Sequence, residues 1–167
     1  YPTGGNLALT PMTSAMKSGH QTVRILVTFY LFLFLLMVPL LAWYEEKLFR
    51  KGKETFRALI AWSFIFGFAH LIMGIPLALA PALTVAGFFY GVKYQRRFRG
   101  ALRKRGITSY SRVGRTWLID SDCLDPKEVV TAVDCAREDA LLHSATYHAL
   151  FNSLVVGYLL FRALKAI

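Results

Sequence analysis

Uncharged stretches divide the chain and predict where it crosses a membrane. Residues 25–44 are twenty consecutive uncharged positions, the length of one spanning helix. Residues 58–92 are 35 uncharged positions, too many for one pass, and the sequence MGIP at residues 73–76 offers a turn in their middle. Residues 140–161 supply one more pass. The pattern therefore predicts four transmembrane helices, with two of them back to back.

Start and stop signals refine these spans. The sequence DPKE at residues 125–128 places an N-cap Asp, a Pro at the first helical position and an acid at the third, so the last helix begins well before its apolar part. We expect a flexible N-terminal lead at 1–22 and a single transmembrane domain at 23–167, in which the first apolar run is a retained helix. The fold class is an all-α polytopic membrane bundle with a polar insert at 94–136. Its helices are expected at about residues 24–53, 57–74, 78–95 and 126–164.

Composition supports a membrane protein over a soluble one. Of the 167 residues, 55% are hydrophobic and only 18% are charged, which is too apolar for a soluble domain of this length. Two cysteines, Cys123 and Cys135, have no metal-ligand spacing and predict ordinary thiols. No cofactor is implied by these patterns, although they do not exclude a divalent metal.

The net charge of +10 is concentrated in the insert, where residues 93–115 carry nine Lys or Arg and no acid. The positive-inside rule places this segment in the cytoplasm and both termini outside, in a bacterial inner or plasma membrane. We expect the basic residues to face anionic lipid or a partner subunit rather than nucleic acid. They include Arg96, Arg97, Arg99, Arg103, Lys104 and Arg105.

Ionisable residues inside spans are candidates for function, because hydrocarbon disfavours them. They fall into three spaced sets, which are EExxxR on the first helix, FxxxH on the second and HxxxN on the fourth. Counting 1.5 Å per residue from the expected helix ends places all three at a similar depth. The residues are Glu45, Glu46 and Arg50; Phe66 and His70; and His148 and Asn152.

The first set predicts a division of roles between two adjacent carboxylates. Glu46 and Arg50 are four residues apart with the acid first, which is the favourable order for a helical ion pair. Glu45 lies about 100° round the helix and is left free to act as a general base on water. Taken alone, the set also fits a solvated helix end with a snorkelling Arg50.

The two histidine sets complete a possible hydrolytic site. His148 and Asn152 share one helical face, where an imidazole and an amide can stabilise an oxyanion. His70 could orient the water or act as general acid. The structural alternatives are a hydrogen-bonded packing role for His70 and interhelical hydrogen bonds for His148 and Asn152.

The ordered motifs EEKLFRKG, FGFAH, GFFYG and HALFN resemble those of the CPBP family, over about residues 43–158. This family comprises the type II CAAX prenyl endopeptidases with their bacteriocin-processing and abortive-infection relatives. The resemblance implies an intramembrane glutamic-type protease with a conical cavity open to the cytoplasm. It implies that Glu45 and His70 activate water and that His148 and Asn152 bind the oxyanion. Glu46, Arg50 and Phe66 would have supporting roles.

The resemblance also leaves alternatives. Zinc held by Glu45, His70 and His148 is possible in principle, although the glutamic mechanism needs no metal. Family members usually have additional helices before the first motif and a shorter connection before the last. The leading expectation is an enzyme that cleaves a peptide or protein substrate. The others are a non-catalytic accessory or scaffold subunit that contacts other membrane subunits through 94–136, and a small transporter or channel subunit.

Overall fold

The computed structural model describes residues 21–72, 74, 76–107, 109–113, 116–120 and 125–165. Most of them are helical, as the hydrophobic pattern predicted. The elements in chain order are α1 (Gln21–Arg50), α2 (Phe56–Ala69), a short 3-10 helix (Leu77–Leu79), α3 (Ala80–Arg103), β1 (Ser109–Val113), β2 (Thr116–Asp120) and α4 (Pro126–Leu164). The predicted lead at 1–22 lies outside the described residues except for its last two.

A small antiparallel β-hairpin lies within the predicted insert and was not anticipated. Its strands β1 and β2 pair from Ser109 with Asp120 to Val113 with Thr116. The strand pattern is short and lies in a polar segment, so the hydrophobic spacing gave little signal for it. The hairpin adds a local feature to a bundle that is otherwise helical.

Local signals explain where the helices begin and end. Helix α1 stops three residues before the expected end, because Gly52 follows it with a positive φ of +79°. Thr55 caps α2 by accepting a hydrogen bond from the backbone N–H of Ala58 at 3.2 Å. Helix α3 continues to Arg103, beyond the expected end near residue 95, and Gly106 follows with a φ of +79°. Helix α4 has the range that its capping signals predict, with Asp125 as N-cap.

Three helical segments of the described chain are long and apolar enough to cross a bilayer, which makes this an integral membrane protein. They are Gln21–Arg50, Leu77–Arg103 and Lys127–Leu164. Helix α2 has 14 residues, or roughly 21 Å, which is shorter than a hydrocarbon core of about 30 Å. Three of the four predicted spans therefore have the length needed to cross a bilayer as helices of the described chain, and α2 does not. The predicted second helix ends at Ala69 instead of residue 74, and the turn that follows contains Gly74 with a φ of +81°.

Three packing interfaces hold the four helices together. Helix α1 packs along α4, and α3 packs against both α2 and α4. Gly67 allows the close approach of α2 to α3, because a Cβ there would lie 2.6 Å from the carbonyl oxygen of Ala80. As a result, the last turns of α1 and the middle of α4 lie next to each other, which determines where the charged residues meet.

A group of charged residues connects the loop after α1 to α3 and α4. Glu54, which is 2% exposed, accepts hydrogen bonds from Tyr94 Oη at 3.2 Å and from Arg137 Nε at 2.8 Å. Arg97 of α3 also makes a bidentate ion pair with Asp139 of α4, at 2.8 and 3.0 Å. The contacts of Glu54 hold the loop after α1 against α3 and α4, and the Arg97–Asp139 pair joins α3 to α4.

Candidate functional site

The predicted site residues of α1 and α4 come together where these two helices pack. Glu45, Glu46 and Arg50 occupy the last two turns of α1, and His148 faces them from α4. Residues 45 and 46 point to different sides of the helix, yet both reach the His148 ring because that ring lies between their carboxylates. The result is an imidazole with one acid at each nitrogen.

Glu46 is the fully buried member of the cluster, with 0% of its side chain exposed. Its Oε1 lies 3.1 Å from His148 Nδ1, and its Oε2 accepts a hydrogen bond from Ser144 Oγ at 2.6 Å. Arg50 Nε is 3.5 Å from the same Oε2, which gives the i,i+4 ion pair expected from the sequence. A buried carboxylate needs such partners to offset its lost hydration.

Glu45 has a different environment from its neighbour. Its side chain is 26% exposed, and its Oε2 lies 3.4 Å from His148 Nε2. That oxygen has no hydrogen-bond partner among the described residues. Glu45 therefore keeps one buried oxygen without a hydrogen bond next to the imidazole, while its side chain as a whole is partly exposed.

Aromatic rings fix the orientation of His148. Its ring stacks on the ring of Tyr90 in α3, with centroids 4.6 Å apart and an angle of 18° between the planes. The ring of Phe66 in α2 contacts it edge-on at 5.6 Å. Only 3% of the His148 side chain is exposed, so rotation of the imidazole would have to displace these neighbours.

His70 joins this group through Phe66 rather than through a hydrogen bond to the carboxylates. The rings of His70 and Phe66 lie 4.7 Å apart. Nδ1 of His70 is 2.7 Å from the carbonyl oxygen of Phe66. Because a carbonyl can only accept, Nδ1 carries a proton and Nε2 is the second, available nitrogen. The arrangement fits both the packing role and the chemical role considered from the sequence.

Asn152 lies one turn beyond His148 on α4 and is half-buried. Its side chain has no hydrogen bond to another residue in the part of the chain that the structure describes. His148 contacts the two glutamates rather than this amide. The pairing of His148 with Asn152 as an oxyanion site stays a prediction.

Arg50 is buried with 2% of its side chain exposed, and its guanidinium lies 5.3 Å from the ring centroid of Phe66. Gly87 on α3 leaves room for it, because a Cβ there would be 3.1 Å from Arg50 Nη2 and 2.7 Å from the Phe66 ring. Gly91 similarly faces Leu59 of α2. The two glycines of the GFFYG sequence therefore allow the arginine and the aromatic ring to pack together.

The metal alternative has no support in the described residues, where no group of three or more His, Cys, Asp or Glu side chains is arranged to hold a metal ion. The predicted set of Glu45, His70 and His148 is divided by the Phe66 ring, which lies between the two histidines.

The sequence reasoning missed Ser144 and Tyr90, and it also missed the Glu54–Arg137 ion pair. Ser144 could have been found, because it lies four residues before His148 and shares its helical face. The role of Tyr90 could not, since a tyrosine between apolar residues predicts only a buried or interfacial ring. The pairing of residues 54 and 137 depends on how α4 packs.

The predicted basic residues lie on the last turns of α3 and just after it, from Arg96 to Arg105, and they are exposed. Arg97 pairs with Asp139 on α4. Comparison of the chain with protein-family models, with curated proteins and with solved structures gives no match. The functional conclusion therefore depends on the geometry of the chain itself.

Proposed function

We propose that this integral membrane protein is a CPBP-like intramembrane endopeptidase. The observation that carries the proposal is the approach of Glu45 Oε2 to His148 Nε2, at 3.4 Å, beside the buried Glu46 and Arg50. A solvated helix end would not bring its carboxylates against a buried histidine of another helix. The cluster instead combines a general base with a polarising imidazole, which peptide hydrolysis requires.

In the proposed reaction, a water molecule binds next to the Glu45 carboxylate and the His148 imidazole. Glu45 accepts one proton from the water as its oxygen attacks the carbonyl carbon of the peptide. The oxyanion that forms accepts a hydrogen bond from Nε2 of His148 in its doubly protonated form and another from the side-chain amide of Asn152. The C–N bond then breaks, and the proton held by Glu45 passes to the leaving nitrogen.

The proposed setting is a bacterial inner or plasma membrane, with the basic part of α3 in the cytoplasm and both termini outside. This orientation follows from the positive-inside rule and takes the short α2 as a fourth crossing. Anionic lipid head groups would contact the exposed arginines of α3. The substrate would be a peptide or protein that reaches the site from the cytoplasmic side, and no nucleic-acid partner is proposed.

A non-catalytic scaffold subunit is the second candidate, and the burial of the cluster favours it. Glu46, Arg50 and His148 are only 0%, 2% and 3% exposed, as in an ion network that holds helices together. In that case the segment at 94–136 would contact another membrane protein. Glu45 would be dispensable for the activity of the complex.

The experiment that separates the two candidates is a cleavage assay on the full chain in lipid nanodiscs. A mixture of peptides is incubated with the protein, and new peptide ends are identified by mass spectrometry. We expect Glu45→Ala and His148→Ala to reduce cleavage by about 100-fold or more, since general acid–base groups typically contribute that much. Glu138→Ala is the matched control, because this acid is exposed and pairs with Lys51 rather than with His148. Cleavage that Glu45→Ala leaves unchanged would contradict the protease proposal.

A further inference from the structure

The hydroxyl of Ser144 makes contacts unlike those of other helical hydroxyls in this protein. Its Oγ lies 2.6 Å from Glu46 Oε2 on α1 and 3.0 Å from the carbonyl oxygen of Tyr90 on α3. Serine and threonine within helices commonly bond the carbonyl four residues earlier in their own helix. Five others here do so, namely Thr28, Ser63, Thr84, Thr131 and Thr146. Ser144 is instead directed at two other helices.

The single hydrogen of the Ser144 hydroxyl determines which of its two neighbours receives a hydrogen bond. A serine hydroxyl has one hydrogen, and both the Tyr90 carbonyl and an ionised Glu46 can only accept. The contact to Glu46 is the shorter of the two, as expected when a hydroxyl donates to a carboxylate. This bond holds Oε2 on one side and turns Oε1 toward His148 Nδ1.

The orientation of Glu46 has a consequence for the imidazole. Because an ionised Oε1 has no hydrogen, the contact of 3.1 Å requires that Nδ1 of His148 carries the proton. Nε2 is then the nitrogen that gains or loses a proton beside Glu45. The titratable or charged groups around the pair are Glu45 and Arg50 on α1 and Tyr90 on α3, while His70 on α2 is separated from it by Phe66.

We propose that Ser144 is a positioning residue that orients Glu46 and thereby keeps a proton on Nδ1 of His148, so that Nε2 exchanges protons at the Glu45 side. The catalytic meaning of this arrangement rests on the proposed hydrolytic function. The hydrogen-bond arrangement itself does not, since it is a property of the protein without substrate. Ser144 acts through Glu46 and makes no contact with the reacting atoms.

The test is nitrogen-15 NMR of the full chain in nanodiscs, with the histidine rings labelled. The His148 signals are assigned by their loss in His148→Gln, and the neutral ring is observed at the alkaline end of a pH titration. We expect the form protonated at Nδ1 to dominate in the native protein. In Ser144→Ala its ratio to the form protonated at Nε2 should fall about fivefold, the factor that corresponds to one ordinary hydrogen bond.

Two variants make the comparison specific. Thr146→Ala is the matched control, because its hydroxyl lies on the same helix but bonds only to the carbonyl of Leu142; it should leave the ratio unchanged. Ser144→Thr keeps the hydroxyl and should restore the native ratio. If Ser144→Ala does not fold, Ser144→Cys keeps the size with a weaker donor and should give an intermediate ratio.

An unchanged ratio in Ser144→Ala or Ser144→Cys would overturn the proposal. So would a native His148 that stays doubly protonated throughout the titration, or one whose neutral ring carries its proton mainly on Nε2. If the native protein also cleaves peptides, Ser144→Ala should lower kcat with little change in KM, and Ser144→Thr should recover it. A shifted ratio in a protein that cleaves no peptide supports the role of Ser144 and contradicts only the protease function.

Discussion

Removal of the two adjacent glutamates of α1 should cost very different amounts of stability. Glu46→Ala takes away the carboxylate that faces Arg50 and leaves this arginine buried without its counter-ion, with 2% of its side chain exposed. Breaking a buried ion pair in this way costs about 3–5 kcal/mol of the free energy of unfolding. Glu45 is 26% exposed, and its ion-pair partner among the described residues is His148, at 3.4 Å. We therefore expect Glu45→Ala to cost no more than about 1 kcal/mol.

The assay is unfolding of the detergent-solubilised protein, followed by circular dichroism during titration with a denaturing detergent. The double variant Glu46→Leu with Arg50→Met tests the physical reason, since it removes both charges and replaces them with apolar groups. It should be more stable than Glu46→Ala. Equal destabilisation by Glu45→Ala and Glu46→Ala would refute the reasoning, and so would a double variant that is no more stable than Glu46→Ala. Cleavage should be lost in Glu45→Ala although its fold is intact.

Other predictions concern the fold around the site. Arg137→Ala leaves Glu54 buried without this partner and should lower the free energy of unfolding by about 2–4 kcal/mol. The cost is smaller than for a fully buried pair because Arg137 is 18% exposed. Arg97→Ala breaks an exposed ion pair and should cost about 0–1 kcal/mol in the same unfolding assay. Equal losses of stability in Arg97→Ala and Arg137→Ala would contradict the role of burial. Gly67→Ala should cost about 1–3 kcal/mol or more because its Cβ would meet the α3 backbone. Gly100→Ala should instead stabilise by about 0.5–1 kcal/mol because that position is open and helical, and a loss of stability there would argue against the described packing.

Local rules accounted for much of the helical structure. The uncharged stretches located the helices, and the capping residues at Asp125 and Pro126 located the start of α4. The i,i+4 spacing of Glu46 and Arg50 was enough to predict their ion pair, because both partners belong to one helix. Where the predictions departed from the structure, as at the ends of α2 and α3, a continuous apolar or basic run gave no sharp stop signal.

The partners of His148 show where sequence reasoning ends. Its HxxxN spacing placed it on one helical face with Asn152 as a predicted oxyanion site, but did not indicate that its two nitrogens face Glu46 and Glu45 on another helix. Ser144 could be placed on the same face as His148, but its bond to Glu46 depends on the approach of α1 to α4.

The sequence by itself determined that the chain belongs in a membrane, which stretches are helical and which ionisable residues share a helical face. These properties depend on composition and on neighbours within a few residues. The tertiary structure alone decided that α1 packs along α4, that the imidazole lies between two carboxylates, and that Glu54 pairs with Arg137. Such contacts join residues more than eighty positions apart. Their geometry follows from the rotation and crossing of whole helices, which the periodicity of any one helix does not determine.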